Sequence, residues 1–163
     1  MDDLDAEDPA DDMERLARSL LDLGLDLLKR KRRFFPFGAV VWVDGELQLA
    51  AAPTRADDGR KLRTDAELLA ALEAELGADV GAGRARAAGV CTCGPGAITL
   101  HLESFDGVAV TARLGFRTAF PRRIVVDDAI TEADASARLF PGAHAAAASR
   151  HPQEPSGHAD EDV

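Results

Sequence analysis

The sequence predicts an α+β domain: an antiparallel sheet of about five strands with helices on one face, in the order α-β-β-α-β-β-β. Three observations carry this. Apolar residues recur every three or four positions between residues 11 and 32, apolar runs flank Asp44-Gly45, and strict alternation runs through Ile98-Thr99-Leu100-His101-Leu102-Glu103. A chain of 163 residues, 46% hydrophobic, is long enough for one domain with a core and short for two. With one Trp, seven Phe and no Tyr, that core must be built from Leu, Val and Ala.

The first element is a helix. Met13, Leu16, Leu20, Leu23 and Leu27 fall three and four residues apart, and Leu21, Leu25 and Leu28 widen the stripe into the face of an amphipathic helix from Asp11 to about Arg32. Acids crowd its first turn and Lys29, Arg30, Lys31, Arg32 and Arg33 crowd its end, the polarity the helix macrodipole favours. Gly24 weakens it slightly. Phe34-Phe35-Pro36-Phe37-Gly38 then breaks the helix, because Pro36 pushes Phe35 toward extended geometry and Gly38 permits a turn.

Residues 39–43 and 46–50 read as two strands around Asp44-Gly45, the dipeptide of a tight type I′ hairpin. Residues 53–63 form a polar loop. Thr64-Asp65-Ala66-Glu67 is a capping box opening a second helix, whose stripe of Leu68, Leu69, Leu72 and Leu76 is predicted to end at Gly77, with Gly81 and Gly83 reinforcing the stop.

Three further strands follow at 84–92, 97–104 and 108–116, the last two joined by Phe105-Asp106-Gly107. In the middle strand Ile98, Leu100 and Leu102 face one way and Thr99, His101 and Glu103 the other, so one side of the sheet should be buried and one polar. Ile124-Val125-Val126 predicts a short strand and residues 127–139 a helix, bracketed by Pro121 and Pro141.

The formal charge is −10, but it is unevenly placed. Residues 1–14 hold eight acids and no base, and residues 154–163 hold four acids and no base; subtracting these twelve from 29 leaves 17 acids against 19 Lys and Arg in the body. The acidity belongs to the ends. The chain is therefore divided into an acidic disordered tail (1–10), a single domain (11–141) and a second disordered tail (142–163) that lacks large apolar residues. No run approaches the roughly 18 apolar residues of a membrane span, and the acidic start is unlike a signal peptide, which sets the expected location as cytoplasmic. Cys91 and Cys93 stand too close together to frame a fold by disulfides.

The stretches Phe34-Phe35-Pro36-Phe37-Gly38-Ala39 with Asp44-Gly45-Glu46, and residues 97–103 with Asp106-Gly107, together resemble a family of small uncharacterised bacterial proteins. Those have an aromatic-Pro-Phe-Gly entry to one hairpin and a later Leu-Glu…Asp-Gly hairpin. The resemblance spans residues 34–116 and rests on turn and core positions, so it implies the fold and assigns no residue a role. The order of elements is also similar to that of profilin-like and roadblock-type domains, which bind partners or dimerise; that likeness is architectural.

Cys91 and Cys93, with His101 as a third ligand, can supply soft donors to a metal, but a fourth ligand is missing and buried thiols behave as small hydrophobes. His101 beside Glu103, on a polar sheet face with Thr99, Thr111 and Arg113, is the one acid-base arrangement the spacing offers; no nucleophile has a recognisable setting. Gly81-Ala82-Gly83 and Gly94-Pro95-Gly96 lack the strand-to-helix context of a phosphate loop. His144, His151 and His158 recur every seven residues in a tail with no helix to align them.

The basic run Lys29 to Arg33, followed by Phe34-Phe35, offers phosphate contacts and stacking to a polyanion, with Arg84, Arg86, Arg113, Arg122 and Arg123 as further contributors. The net charge of the chain opposes that use. No cofactor, metal or catalytic motif is recognised. The expected role is a non-enzymatic adaptor, regulator or immunity-type protein that binds a protein partner or itself through a sheet face or edge strand; nucleic-acid binding is the alternative and acid-base catalysis at His101/Glu103 the third.

Overall fold

The computed structural model describes residues 8–135 and Leu139, Val80 by its backbone alone. Residues 1–7 and the expected C-terminal tail, with His144, His151 and His158, lie outside the described residues. Two helices, α1 (Pro9–Lys31) and α2 (Asp65–Gly81), accompany six strands: β1 (Phe37–Trp42), β2 (Leu47–Ala51), β3 (Ala85–Gly94), β4 (Ala97–Ser104), β5 (Ala109–Ala119) and β6 (Arg123–Asp134). All strand pairings are antiparallel, in the order β2-β1-β3-β4-β5-β6. The α+β class holds; the sheet has six strands against about five expected, and β6 contains the short strand read at residues 124–126.

α1 begins slightly before its predicted start. Asp8 accepts a hydrogen bond from the Ala10 N–H at 3.0 Å and Pro9 occupies the first turn, where its missing N–H costs nothing. Arg32 ends the helix in a left-handed conformation, its N–H donating to the Leu28 carbonyl. Leu16, Leu20 and Leu28 are fully buried against Ile98, Leu100 and Leu102 of β4 and Ala39 and Val41 of β1. Each such side chain contributes about 2–3 kcal/mol relative to exposure.

The two helices take opposite faces of the sheet, where the sequence placed both on one. α2 packs Leu72 and Leu76 against Val40, Ala88 and Val90, residues that alternate with those under α1. Central strands β1 and β3 are apolar in consecutive positions (Val40-Val41, Ala87-Ala88, Val90-Cys91) because both of their sides are covered. The polar alternation of β4 does not extend to them.

Three local predictions differ from the structure. The first hairpin is not type I′: the Gly45 N–H donates to the Trp42 carbonyl and the Trp42 N–H to Glu46, enclosing a three-residue loop with positive φ at Gly45 and not at Asp44. The Phe105-Asp106-Gly107 loop repeats this pattern, with the Gly107 N–H donating to Ser104. Helix α2 does not stop at Gly77 but runs to Gly81; at Gly77 a Cβ would sit 3.6 Å from the Leu139 carbonyl, an ordinary contact. Of the helix predicted over residues 127–139, the part from 127 to 134 is strand: β6 continues to Asp134, absorbing a register shift in which Asp127, Asp128 and Ala129 stand opposite Gly115 alone, while residues 136–138 lie outside the described residues.

Candidate functional site

The polar sheet face predicted from β4 exists, but its centre is closed. Thr99 pairs with Arg113 and His101 with Thr111 across β4 and β5, which sets Thr99, His101, Thr111 and Arg113 on one face with Glu103. Arg113 is exposed and the two threonines are half-buried, whereas His101 and Glu103 are 4% and 1% exposed. His101 Nε2 lies 2.5 Å from Glu103 Oε2, and the same oxygen accepts the Leu139 N–H at 2.8 Å. Leu139 itself is fully buried beside Leu72 and Leu76. Leu139 thus joins the α2-side core and ties its backbone to the pair. A general base must be reached by the proton it abstracts; here both residues are buried, and the Glu103 carboxylate is engaged by His101 and by the Leu139 N–H.

The cysteines and His101 cannot converge. Cys91 stands opposite Leu100 on the α1 face, while His101 stands opposite Val90 on the α2 face. Burial pushes the Cys91 thiol well above its ordinary range, and the neighbouring Cys93 adds to this. Among the described residues no group of three or more His, Cys, Asp or Glu is gathered closely enough to hold a metal ion.

The basic run is exposed from Lys29 to Arg33 but partly occupied: Arg30 pairs with Asp26 at 3.2 Å and Arg33 with Asp65 at 3.0 Å. Phe34 and Phe37 turn into the core with ring centroids 5.5 Å apart, while Phe35 remains 64% exposed. Of the arginines grouped with the run, Arg84 pairs with Asp79, and Arg86 reaches the buried Asp12 at 2.8 Å. Arg86 does so because the register shift between Val41 and Trp42 leaves it as an extra residue on β3, between the partners Ala85 and Ala87. Arg122 and Arg123 lie at the β5–β6 turn.

Two features were not legible in the sequence. The first is an apolar groove of about 670 Å³ between α1 and the β1–β2 hairpin. Leu23 and Leu27 of α1 form one wall, Phe34 and Phe37 line it, and Leu62 and Leu68 close it from the loop after β2 and the start of α2. Lys31, Arg33, Lys61 and Arg63 rim it, and no acid lines it. Its parts come from four separated segments, so only the exposed Phe35 within a basic run hints at it. The capping box holds the rim in place: Glu67 accepts from the N–H groups of Arg63 at 2.9 Å and Thr64 at 3.2 Å and from the Arg60 side chain at 2.7 Å. These donors, the Arg63 N–H foremost, lower the Glu67 carboxyl to about 2.

The second feature is the contrast between the two sheet edges. Because Trp42 and Glu46 are hydrogen-bonded, the alternation of antiparallel pairs turns the backbone N–H and C=O of Leu47, Leu49 and Ala51 away from β1. That edge carries no charge along Leu47–Ala51, and Leu49 is 48% exposed. The opposite edge, β6, carries Asp127, Asp128, Glu132 and Asp134 and a register shift.

No protein-family model, curated protein or solved structure matches this chain. No described helix is long and apolar enough to cross a membrane.

Proposed function

We propose that this chain is a non-enzymatic protein-interaction domain that docks a partner strand, or a second copy of itself, along the β2 edge. The observation that carries this reading is the uncharged edge with outward backbone groups at Leu47, Leu49 and Ala51, set against an acidic, irregular β6. Edge strands present ready templates for pairing unless charge or irregularity blunts them. The burial of His101 and Glu103 and the separation of His101 from Cys91 argue in the same direction, since they leave the acid-base and metal readings without an accessible centre.

The test is a nuclease-treated affinity capture with wild-type protein and Leu49→Pro in parallel, together with native masses of both. Proline at this position removes an outward N–H while leaving the β1 pairing intact. A stoichiometric protein partner or homodimer with wild type, lost in Leu49→Pro, supports edge docking. Equal capture by both, or a monomer without partner at cellular concentration, refutes it. Salt-steep binding of an oligonucleotide, abolished by neutralising Lys29 to Arg33, would favour the nucleic-acid alternative instead.

A further inference from the structure

We propose that the groove between α1 and the β1–β2 hairpin is a binding site for a free single-chain carboxylate amphiphile. The hydrocarbon chain would lie on the leucine and phenylalanine floor, and the carboxylate would sit among Lys31, Arg33, Lys61 and Arg63. This ligand site meets the β2 edge only at Ala51 and does not depend on partner docking there.

Size and lining place the groove among small-molecule sites. Its volume of about 670 Å³ lies within the range of roughly 300–1,000 Å³ that such sites occupy, and its interior is apolar with charge confined to a few positions.

Charge selects the head group. On a chain with 29 acids and 19 bases, four bases and no acid line this groove. Asp65 holds the Arg33 guanidinium at 3.0 Å, and Glu67 is occupied by Arg60 and by backbone donors, so neither carboxylate neutralises Lys31 or Lys61. No ion pair to either lysine is present among the described residues. Guanidinium forks match a carboxylate in two-pronged geometry, and cations at the edge of an apolar cavity favour an anionic head while repelling a cationic one.

The experiment is calorimetric titration of the full chain with dodecanoate below its micellar concentration, beside dodecyltrimethylammonium, which has the same tail and the opposite charge. Saturable one-to-one binding of dodecanoate, roughly tenfold or more tighter than the cation, is expected. The double variant Lys31→Glu/Lys61→Glu changes two exposed side chains and should lose this preference while its thermal unfolding curve stays in place. Equal affinity for both amphiphiles overturns the proposal, as does unchanged dodecanoate affinity in the double variant. Binding to anionic phospholipid vesicles without binding to monomeric dodecanoate would also overturn it and identify a membrane surface as the ligand.

Discussion

Helix α1 and strand β3 pack through two reciprocal vacancies. Gly24 on the helix faces Cys91 on the strand, and Gly89 on the strand faces Leu20 on the helix; a Cβ at Gly24 would lie 3.1 Å from Cys91 Sγ, and one at Gly89 would lie 3.0 Å from Leu20 Cδ1 and 2.7 Å from Leu102 Cδ2. One helical turn from 20 to 24 spans about 6 Å, close to the two-residue step from 89 to 91 on the strand, so both contacts fit one alignment. Gly24→Ala gains about 1 kcal/mol of helix propensity and loses about 1–3 kcal/mol to overpacking, for a net change between neutral and about 2 kcal/mol destabilising. Cys91→Ala alone removes a buried sulfur and should cost about 1–2 kcal/mol. In the double variant the new methyl enters the vacated space, so the steric loss disappears while the helix gain remains. The two substitutions should therefore couple favourably by about 1–3 kcal/mol in urea unfolding at constant slope. Costs that add to within about 0.5 kcal/mol would show that the helix does not approach the strand at this point.

Three other outcomes follow from named contacts. Thiol titration of native protein with an aromatic disulfide should modify the half-buried Cys93 and spare Cys91, which should react only on unfolding, because burial holds its thiol protonated. The Glu67 carboxyl is lowered in the folded state, so its stabilisation is complete above the unfolded value of 4.5 and is lost as pH falls from there toward about 2; Glu67→Gln should flatten the pH dependence of the unfolding midpoint across that window. Asp12, 3% exposed, anchors Arg86 at 2.8 Å and Arg15 at 3.6 Å, and Asp12→Ala should destabilise by about 1.5–3 kcal/mol in urea unfolding because it removes a charge-assisted hydrogen bond from a partly buried guanidinium.

Local signals were legible wherever one segment contains all of its own physics. The leucine spacing of α1, the Thr64/Glu67 capping box and the glycines of both hairpin loops each read correctly as elements, because periodicity, side-chain caps and positive φ are properties of a few adjacent residues. What failed depended on distant partners. Gly77 resembles a helix stop, yet α2 packs Leu72 and Leu76 on the sheet and runs through it to Gly81, and Asp127-Asp128 resembles a helix start until Gly115 gives those residues room to bulge. The alternation in β4 suggested an open polar face, whereas His101 is buried and its partner Glu103 is tied to a residue 36 positions further along the chain, Leu139. The groove was hidden for the same reason: its walls come from α1, the β1–β2 hairpin, the following loop and α2, and none of these is unusual alone.

The inequality of the two sheet edges bears on stoichiometry. A sheet with two receptive borders can be extended by one copy after another without limit, and closed assemblies then require some other means of termination. Here the β6 border carries four acids and a displaced register, while the β2 border is short, neutral and outward-facing. If two copies meet along β2, the pairing uses up the receptive border of each and leaves only repellent ones outside. Growth then stops at two. If a foreign strand takes the border instead, the same arithmetic makes partner binding and self-pairing mutually exclusive, so the concentration of free partner would set the fraction of the chain that stands as a dimer.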